Sequence, residues 1–488
     1  MIGLRLVALD SDAYAGLSWD TGLFTDEGFY LHNARNTVLF GTMRMDAFNN
    51  ALIMPLLHAV QVGFFRLFGV GLTQTRLISV FASLLTLPLF YAALHRAFGN
   101  RAAALGVLFL GLDHTNLLFN RLGLMDTPAV LPLVAAFYAF VRAVEGNEAP
   151  LEGAVKVQYH WLIGCGLLLG IAYSVRGLAA LLWPVPILVC LFVHKLRPKR
   201  GTMVGAILIG LAVALIAYIV CWYLPDAAEL ARVNRYYIRE QLLPRTLVRL
   251  GRNLAQALWG TAFPGLLPYL LTHTPVLLGL SLCWFVCSGK KQTTTQRTLG
   301  WYLAGWLLTF WLFCAMVNYA PSRYYPMFYP AMAGLAGVTL TCWTETVQAS
   351  NRWLIAAVAV WGIVNALWLG HWLTHQTYVH RDSSRWLAHN LPPGSVLFGD
   401  VAPGLGIQTS FRVINLIPKL CNDDQPLERF PAAPRYIVIL DDQKHEKWWG
   451  EHYPEYITPA RRVYTIPRLI QRRVVVYDAT SHRGQINP

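Results

Sequence analysis

Charge is what this chain has least of. Only 14% of its 488 residues are Asp, Glu, Lys or Arg, against 55% hydrophobic and 13% aromatic, whereas a soluble domain carries roughly 25% charged residues. With a mean hydropathy of +0.41, the apolar excess excludes an ordinary water-soluble fold and places the chain among polytopic membrane proteins. Cysteine is sparse as well: Cys165, Cys190, Cys221, Cys283, Cys287, Cys314 and Cys342 fall in or at the edge of apolar segments, and Cys421 stands alone outside them. Neither a disulfide framework nor a Cys-x-x-Cys metal site follows. There is no internal repeat, no low-complexity tract and no glycine-rich nucleotide loop, which argues against a sugar nucleotide as substrate. Met1–Asn50 is expected to hold no spanning segment, because Met1–Leu9 is far short of a crossing, and no signal peptide is expected there. The net charge of +14 would suggest nucleic acid in a soluble protein. Here the basic residues cluster between apolar runs and in the C-terminal tail, so topology and anionic lipids account for it, and no nucleic-acid partner is implied.

Apolar runs begin at residue 72. In order they are Leu72–Leu94, Ala102–Phe119, Thr127–Val144, Trp161–Tyr173, Leu178–Val193, Met203–Tyr223, Pro264–Cys287, Leu299–Val317, Met327–Trp343 and Trp353–Leu373. A crossing takes about 20 residues, so the expected architecture is a polytopic α-helical bundle of about ten or eleven transmembrane helices. The fourth and fifth runs are short enough to be re-entrant. Ahead of them, Ala51–Phe68 contains Pro55, His58 and Arg66 and reads as a helix lying in the interface.

The loops His95–Arg101, His194–Arg200 and Ser288–Arg297 are basic and alternate with loops carrying acids and aromatics, so the basic set belongs in the cytoplasm. Alternation then puts the N-terminal stretch, the loops at Asp126 and Arg176, the long loop Leu224–Phe263, the loop Asn318–Pro326 and the C-terminal region on the outer face. From about His375, the short apolar runs SVLFGD, RVINLI, RYIVILDD and RRVVVYD alternate with helical patterns, which predicts a small α/β domain outside the membrane. Three parts are expected: an outer-face loop with its interfacial helix over 1–71, a transmembrane domain over 72–373, and the α/β domain over 374–488.

Chemistry concentrates at the helix boundaries. Asp26 and Glu27 stand together in SWDTGLFTDEGFYLHNARNTVLFG, Ser18–Gly41. A carboxylate pair at a helix entry is an ordinary device, since acids suit the first turn. Here Tyr30, His32, Asn33 and Arg35 follow within two turns, and a carboxylate at the membrane boundary can take a proton from an acceptor hydroxyl. Asp126, in NRLGLMDTPAV with Arg121, opens another apolar segment. Its plain reading is a helix-start acid; its functional reading is a second acid facing Asp26 across one cavity. Asp113 and His114 lie at a depth where polar groups need partners. Arg176 in YSVRGLAA and Arg323 beside Tyr324 in NYAPSRYYPMFYP are cations on the expected outer side. A helix-end arginine often snorkels to head groups, but two of them suit a departing lipid phosphate, whose growing charge guanidinium groups stabilise.

The order FTDEGFYLHNAR, NRLGLMDTP, SVRG and SRYYPMFYP resembles the GT-C superfamily of polyprenyl-phosphate-dependent glycosyltransferases. Within it, the sequence resembles in particular the branch of protein O-mannosyltransferases and the lipid A aminoarabinose transferase. The resemblance covers about the first 345 residues. It implies Asp26 as catalytic base, Glu27 as its partner in positioning the acceptor or a cation, and Asp126 as the second acid. Arg176 takes the place where these families often have Lys before Gly, and Arg323 that of their phosphate-contacting loop; exchanging Lys for Arg keeps the charge and alters the hydrogen-bond geometry. Tyr30, His32, Arg121 and Tyr324 are the further candidate substrate contacts. Relatives have a transmembrane helix before the acidic loop, for which this sequence leaves no room, and the expectation is a start placed too late in the gene.

The expected function is inverting transfer of a sugar from a polyprenyl-phosphate carrier to a glycan, lipid or protein acceptor. The site would lie on the periplasmic face of a multi-pass inner-membrane protein. Glu27 and Asp126 are the candidate ligands of a divalent cation, and no other cofactor is implied. The rival classes are a transporter or flippase for a lipid-linked or anionic solute, which intramembrane charges would suit, and a catalytically silent assembly subunit.

Overall fold

The computed structural model describes residues 1–17, 26–46, 49–145, 157–192, 199–235, 247–259, 266–287, 292–318, 320–346, 351–416, 427, 430, 432–440, 443–469 and 472–480. Residues 18–25 of the Ser18–Gly41 stretch, residues 194–198 and 288–291 of two basic loops, residues 236–246 of the long loop, and Cys421 lie outside the described residues.

The chain opens with the short helix α1 (Ile2–Leu6), followed by α2 (Gly28–Phe40) and α3 (Pro55–Phe68). Helix α2 stops at Gly41, whose φ of 72° is the left-handed cap that glycine adopts without a Cβ penalty. The bundle proper runs through α4 (Leu72–Phe98), α5 (Asn100–Leu112), α6 (His114–Phe119), α7 (Asp126–Val144), α8 (Tyr159–Val175), α9 (Pro184–Phe192) and α10 (Arg200–Tyr218). It continues with α11 (Ala227–Arg235), α12 (Leu247–Trp259), α13 (Leu266–His273), α14 (Pro275–Cys287), α15 (Thr294–Met316), α16 (Tyr329–Thr346) and α17 (Asn351–Thr374). Glycines let neighbours approach: a Cβ on Gly166 of α8 would sit 1.9 Å from the Ile207 carbonyl of α10, and one on Gly210 would sit 1.9 Å from that of Ile163. Small residues at such contacts replace the hydrophobic driving force that lipid removes.

The expectation of ten or eleven crossings is corrected by the helix lengths. Among the described residues five stretches are long and apolar enough to cross a membrane: Leu72–Phe98, Asp126–Val144, Arg200–Val233, Thr294–Met316 and Ile355–Asn390. A sixth counts if α13 and α14, bent by 112° at their break, form one broken span. Apolar windows overcount because they do not register where a helix stops. In the Ala102–Phe119 window, α5 ends at Leu112, and Asp113 accepts the backbone N–H groups of Thr115 (3.1 Å) and Asn116 (3.2 Å), starting a separate helix. The 13 residues of α5 rise about 20 Å, short of a hydrocarbon core of about 30 Å. Likewise Leu178–Val193 is divided between a 3-10 turn, Gly177–Leu182, and the nine residues of α9. The chain is a multi-pass membrane protein with fewer full spans than its apolar runs suggest.

After α17 come α18 (Val379–Asn390), β1 (Val396–Phe398), α19 (Ala402–Leu405), β2 (Arg412–Ile414), β3 (Arg435–Leu440), α20 (Gln443–His452), β4 (Arg462–Leu469) and β5 (Arg472–Asp478). The sheet order is β2-β1-β3-β5-β4. Strand β1 pairs in parallel with β2 (Val396↔Arg412) and with β3 (Val396↔Arg435), while β5 is antiparallel to both its neighbours. Alternation of side chains along each strand gives the sheet two apolar faces. Val396, Phe398, Ile414, Ile437 and Ile439 pack with Met45 and Trp449. Leu397, Val413 and Val438 join the main core with Leu387 and Leu405.

Candidate active site

Four charged side chains from four separate elements meet at one end of the bundle. Asp26 immediately precedes the Glu27 that starts α2; its Oδ2 lies 2.9 Å from Arg323 Nη1. Arg323 comes from the 3-10 turn Ser322–Met327, which Pro321 and Pro326 shape ahead of α16. Asp126 is the first residue of α7, and Arg176 Nε approaches its Oδ1 at 3.1 Å from the junction of α8 and the following turn. Neither Asp126 oxygen has an aligned hydrogen bond, so the contact is one of charge, and the carboxylate keeps lone pairs for another donor. Arg176 Nη1 also donates to Met125 Sδ at 3.0 Å.

Tyr324 ties the two pairs together. The Arg176 guanidinium lies 4.8 Å from its ring centroid and that of Arg323 5.6 Å, distances at which a cation is drawn to the π face. Tyr30, buried in the first turn of α2, feels the charges of all four ionic residues. Burial first, and then the negative charge of Asp26, raise its phenol above the usual range; burial also raises Tyr324. Both phenols are therefore hydrogen-bond donors across the ordinary pH range. The side chains of Asp26, Arg176 and Arg323 are 15%, 9% and 9% exposed and that of Asp126 is 0%, so the cluster has an open edge at Asp26 and a closed floor at Asp126.

The other candidates are placed elsewhere. Glu27 turns away from Asp26: Arg76 donates to it twice, Nε to Oε1 at 2.9 Å and Nη2 to Oε2 at 2.8 Å, and the Gly123 N–H donates to Oε1 at 2.5 Å. His32 Nε2 lies 2.8 Å from Asp46 Oδ2. Arg121 donates to the carbonyls of Leu4 (2.8 Å) and Ala8 (3.0 Å) and lies over the Trp372 ring, so it holds the end of α1 rather than the cluster. Asp113 starts α6, and His114 faces Asn365 Oδ1 at 2.9 Å.

A family model for dolichyl-phosphate-mannose-protein mannosyltransferases matches residues 54–223. The structure superposes on that of ArnT from Cupriavidus metallidurans bound to undecaprenyl phosphate with a TM-score of 0.63 at 17% identity, covering 96% of this chain and 97% of that one. The chain shares that fold. The Archaeoglobus fulgidus oligosaccharyltransferase tethered with an acceptor peptide shares it at a TM-score of 0.54 and 13% identity, over 85% of this chain and 65% of that one. No curated protein sequence matches.

The residue that sequence reasoning missed is Arg76. It lies near the start of α4, and its Nη1 donates to the carbonyls of Leu9 (2.7 Å) and Ser11 (2.5 Å) while its other nitrogens hold Glu27. A lone arginine entering an apolar helix signals a partner, and that signal was available in LTQTRLIS. A divalent cation does not fit the donor set. Glu27 is saturated by Arg76 and Gly123, Asp126 faces Arg176, and no group of three or more His, Cys, Asp or Glu side chains converges among the described residues.

Proposed function

We propose that the chain transfers a sugar from a polyprenyl-phosphate carrier to an acceptor hydroxyl with inversion, on the outer face of the inner membrane. The observation that carries this reading is the junction of Asp26 with Arg323, Tyr324 and Arg176: a carboxylate at the open edge of a two-arginine pocket. Asp26 takes the proton of the acceptor hydroxyl. The acceptor oxygen attacks the anomeric carbon from the side opposite the phosphate, and the bond from that carbon to the phosphate oxygen breaks. The electron pair leaves with the polyprenyl phosphate, which gains one negative charge.

Arg176 and Arg323 meet that charge. Each guanidinium presents a planar fork of N–H donors suited to phosphate oxygens. Tyr30 and Tyr324 supply neutral O–H donors whose protonation does not change in the cycle. Fixed donors in a site shielded from water stabilise the leaving group more than water does. Asp126 orients Arg176 and takes no proton in this scheme.

The test uses cells. Envelope lipids, glycans and proteins from strains with and without the gene are compared by mass spectrometry, and the strain lacking it is complemented with wild type or with Asp26→Asn at matched membrane levels. A sugar mass restored by wild type and not by Asp26→Asn supports the reading. Restoration by Asp26→Asn removes Asp26 from the mechanism. A solute imbalance with no missing sugar mass would favour a transporter.

A further inference from the structure

Helix α2 carries more than the acidic pair. Its first residue meets the C-terminal region so closely that a Cβ on Gly28 would sit 2.3 Å from Gly404 N of α19. Two turns on, Arg35 is buried, and its Nη2 donates to the carbonyls of Thr409 at 2.8 Å and Phe411 at 2.7 Å. Between them, the Asp46 oxygen that meets His32 also accepts the backbone N–H of Asn415 at 2.7 Å. The far side of this contact is itself fixed. Ser384 of α18 donates to the Leu405 carbonyl at 2.6 Å, His380 Nε2 lies 2.7 Å from the Gly404 carbonyl, and Asp12 accepts the first amides of α18, Val379 and His380.

Arg35 is the anomaly in this contact. Its Nε and Nη1 are buried without a hydrogen-bond partner, and a buried charge lacking a full set of partners is destabilising relative to an apolar side chain of the same volume. What the guanidinium adds is direction: one nitrogen grips two carbonyls of the Thr409–Phe411 turn and fixes both the rotation and the axial position of α2. A helix is a stiff lever rising about 1.5 Å per residue, so a grip at Arg35 in the middle of α2 is transmitted to Asp26 just ahead of its first turn. A displacement of about 1 Å at a reacting group is enough to cost about 10²-fold in rate.

We infer that Arg35 is a positioning residue for Asp26, and that the C-terminal region, through its Thr409–Phe411 turn, sets where Asp26 stands relative to the Arg176–Arg323 pocket. The inference rests on the reading of Asp26 as the base. It makes the C-terminal region part of the acceptor half of the site, while the phosphate half, Arg176, Arg323 and Tyr324, stands on the bundle and does not depend on this contact.

The experiment uses the full-length protein in lipid nanodiscs as wild type, Arg35→Met, Arg35→Lys and Gly28→Ala. Hydrogen exchange of peptides covering residues 26–34, affinity for undecaprenyl phosphate, and turnover of the polyprenyl-phosphate sugar identified from the lipid comparison are measured on each. In Arg35→Met the α2 amides should exchange about tenfold faster while those of α4, α7 and α15 do not change. Undecaprenyl phosphate affinity and donor KM should stay within about twofold while kcat falls 10- to 100-fold. Arg35→Lys should recover part of kcat, and Gly28→Ala should reproduce the split from the other side of the contact. Unchanged exchange in α2, or loss of undecaprenyl phosphate binding in step with kcat, overturns the inference. If wild type turns over no polyprenyl-phosphate sugar, the functional reading fails, and the exchange and binding arms still decide whether Arg35 fixes α2.

Discussion

Two neighbouring carboxylates, Asp26 and Glu27, enter two opposite kinds of ion pair. Glu27 and Arg76 form a closed knot in which side chains 2% exposed exchange two parallel hydrogen bonds. The Gly123 amide completes the carboxylate, and the Leu9 and Ser11 carbonyls complete the guanidinium. Asp26 and Arg323 form an open pair at the edge of a cluster in which the guanidiniums also face an aromatic ring. The Glu27–Arg76 pair is buried and held by five hydrogen bonds, and its effect is on the fold: it ties the start of α2 to α4 and to the loop before α7. The Asp26–Arg323 pair instead stands where the side chains are 15% and 9% exposed, within reach of a ligand. On the proposed reading, one residue step in sequence separates scaffold from chemistry, because successive side chains at a helix start point about 100° apart.

The largest expected effect breaks the open side alone. Asp26→Asn keeps the shape and removes the base, so turnover should fall about 10²- to 10⁴-fold while the thermal midpoint in detergent stays at the wild-type value. Loss of midpoint in parallel with activity would place Asp26 in the scaffold with Glu27. The converse change should give the converse result. Glu27→Gln leaves Arg76 a buried cation without its counter-charge and should destabilise the folded protein by about 3–5 kcal/mol, read as a lowered midpoint and reduced extraction of folded protein. Pairing it with Arg76→Met should recover part of that loss, since removing both charges is far less damaging than removing one. A Glu27→Gln protein of normal stability that has lost turnover would move Glu27 into the site.

A smaller effect is expected at the cationic wall. Arg176→Lys keeps the charge but gives up the planar fork, so undecaprenyl phosphate affinity should fall about tenfold, the equivalent of about 1.4 kcal/mol, with stability little changed. Equal affinity in Arg176→Lys and wild type would mean that Arg176 serves Asp126 only.

What could be read in the sequence follows the same division. The cluster was legible because its members sit at boundaries between apolar runs, where a charged residue stands out: Asp26, Asp126, Arg176, Arg323 and Tyr324 were each singled out, and the structure brings them together. The resemblance to polyprenyl-phosphate-dependent glycosyltransferases was legible from the order of the same motifs, and the likeness to the ArnT structure agrees with it. The knot was not, because nothing in FTDEGF marks which of two adjacent acids turns inward, and its partner Arg76 lies 49 positions away in another helix. His32 and Arg121 were expected beside the cluster, and the structure places their contacts elsewhere for a related reason. Polar residues near a site attract a functional reading, yet each is bound to distant groups, His32 to Asp46 and Arg121 to the carbonyls of Leu4 and Ala8. The span count went wrong where hydropathy is blind, at helix ends such as Asp113 and the bend between α13 and α14.

The finest distinction between the two regions lies in Tyr324. In the knot, Arg76 faces only oxygen acceptors; in the cluster, Arg176 and Arg323 share a ring. Tyr324→Leu removes ring and hydroxyl, and with cation–π contacts worth about 0.5–2 kcal/mol it should weaken undecaprenyl phosphate binding by spreading the guanidiniums apart. Tyr324→Phe keeps the ring and removes only the donor, so a loss of about 1 kcal/mol, roughly fivefold, is expected if the hydroxyl contacts phosphate. Because burial raises this phenol, it stays protonated as pH rises through the usual assay range, so the pH–rate profile of Tyr324→Phe should keep the wild-type shape and lose only height. An alkaline limb that disappears in Tyr324→Phe would mean that the phenol titrates during turnover, and the phosphate pocket would then be built from arginines alone.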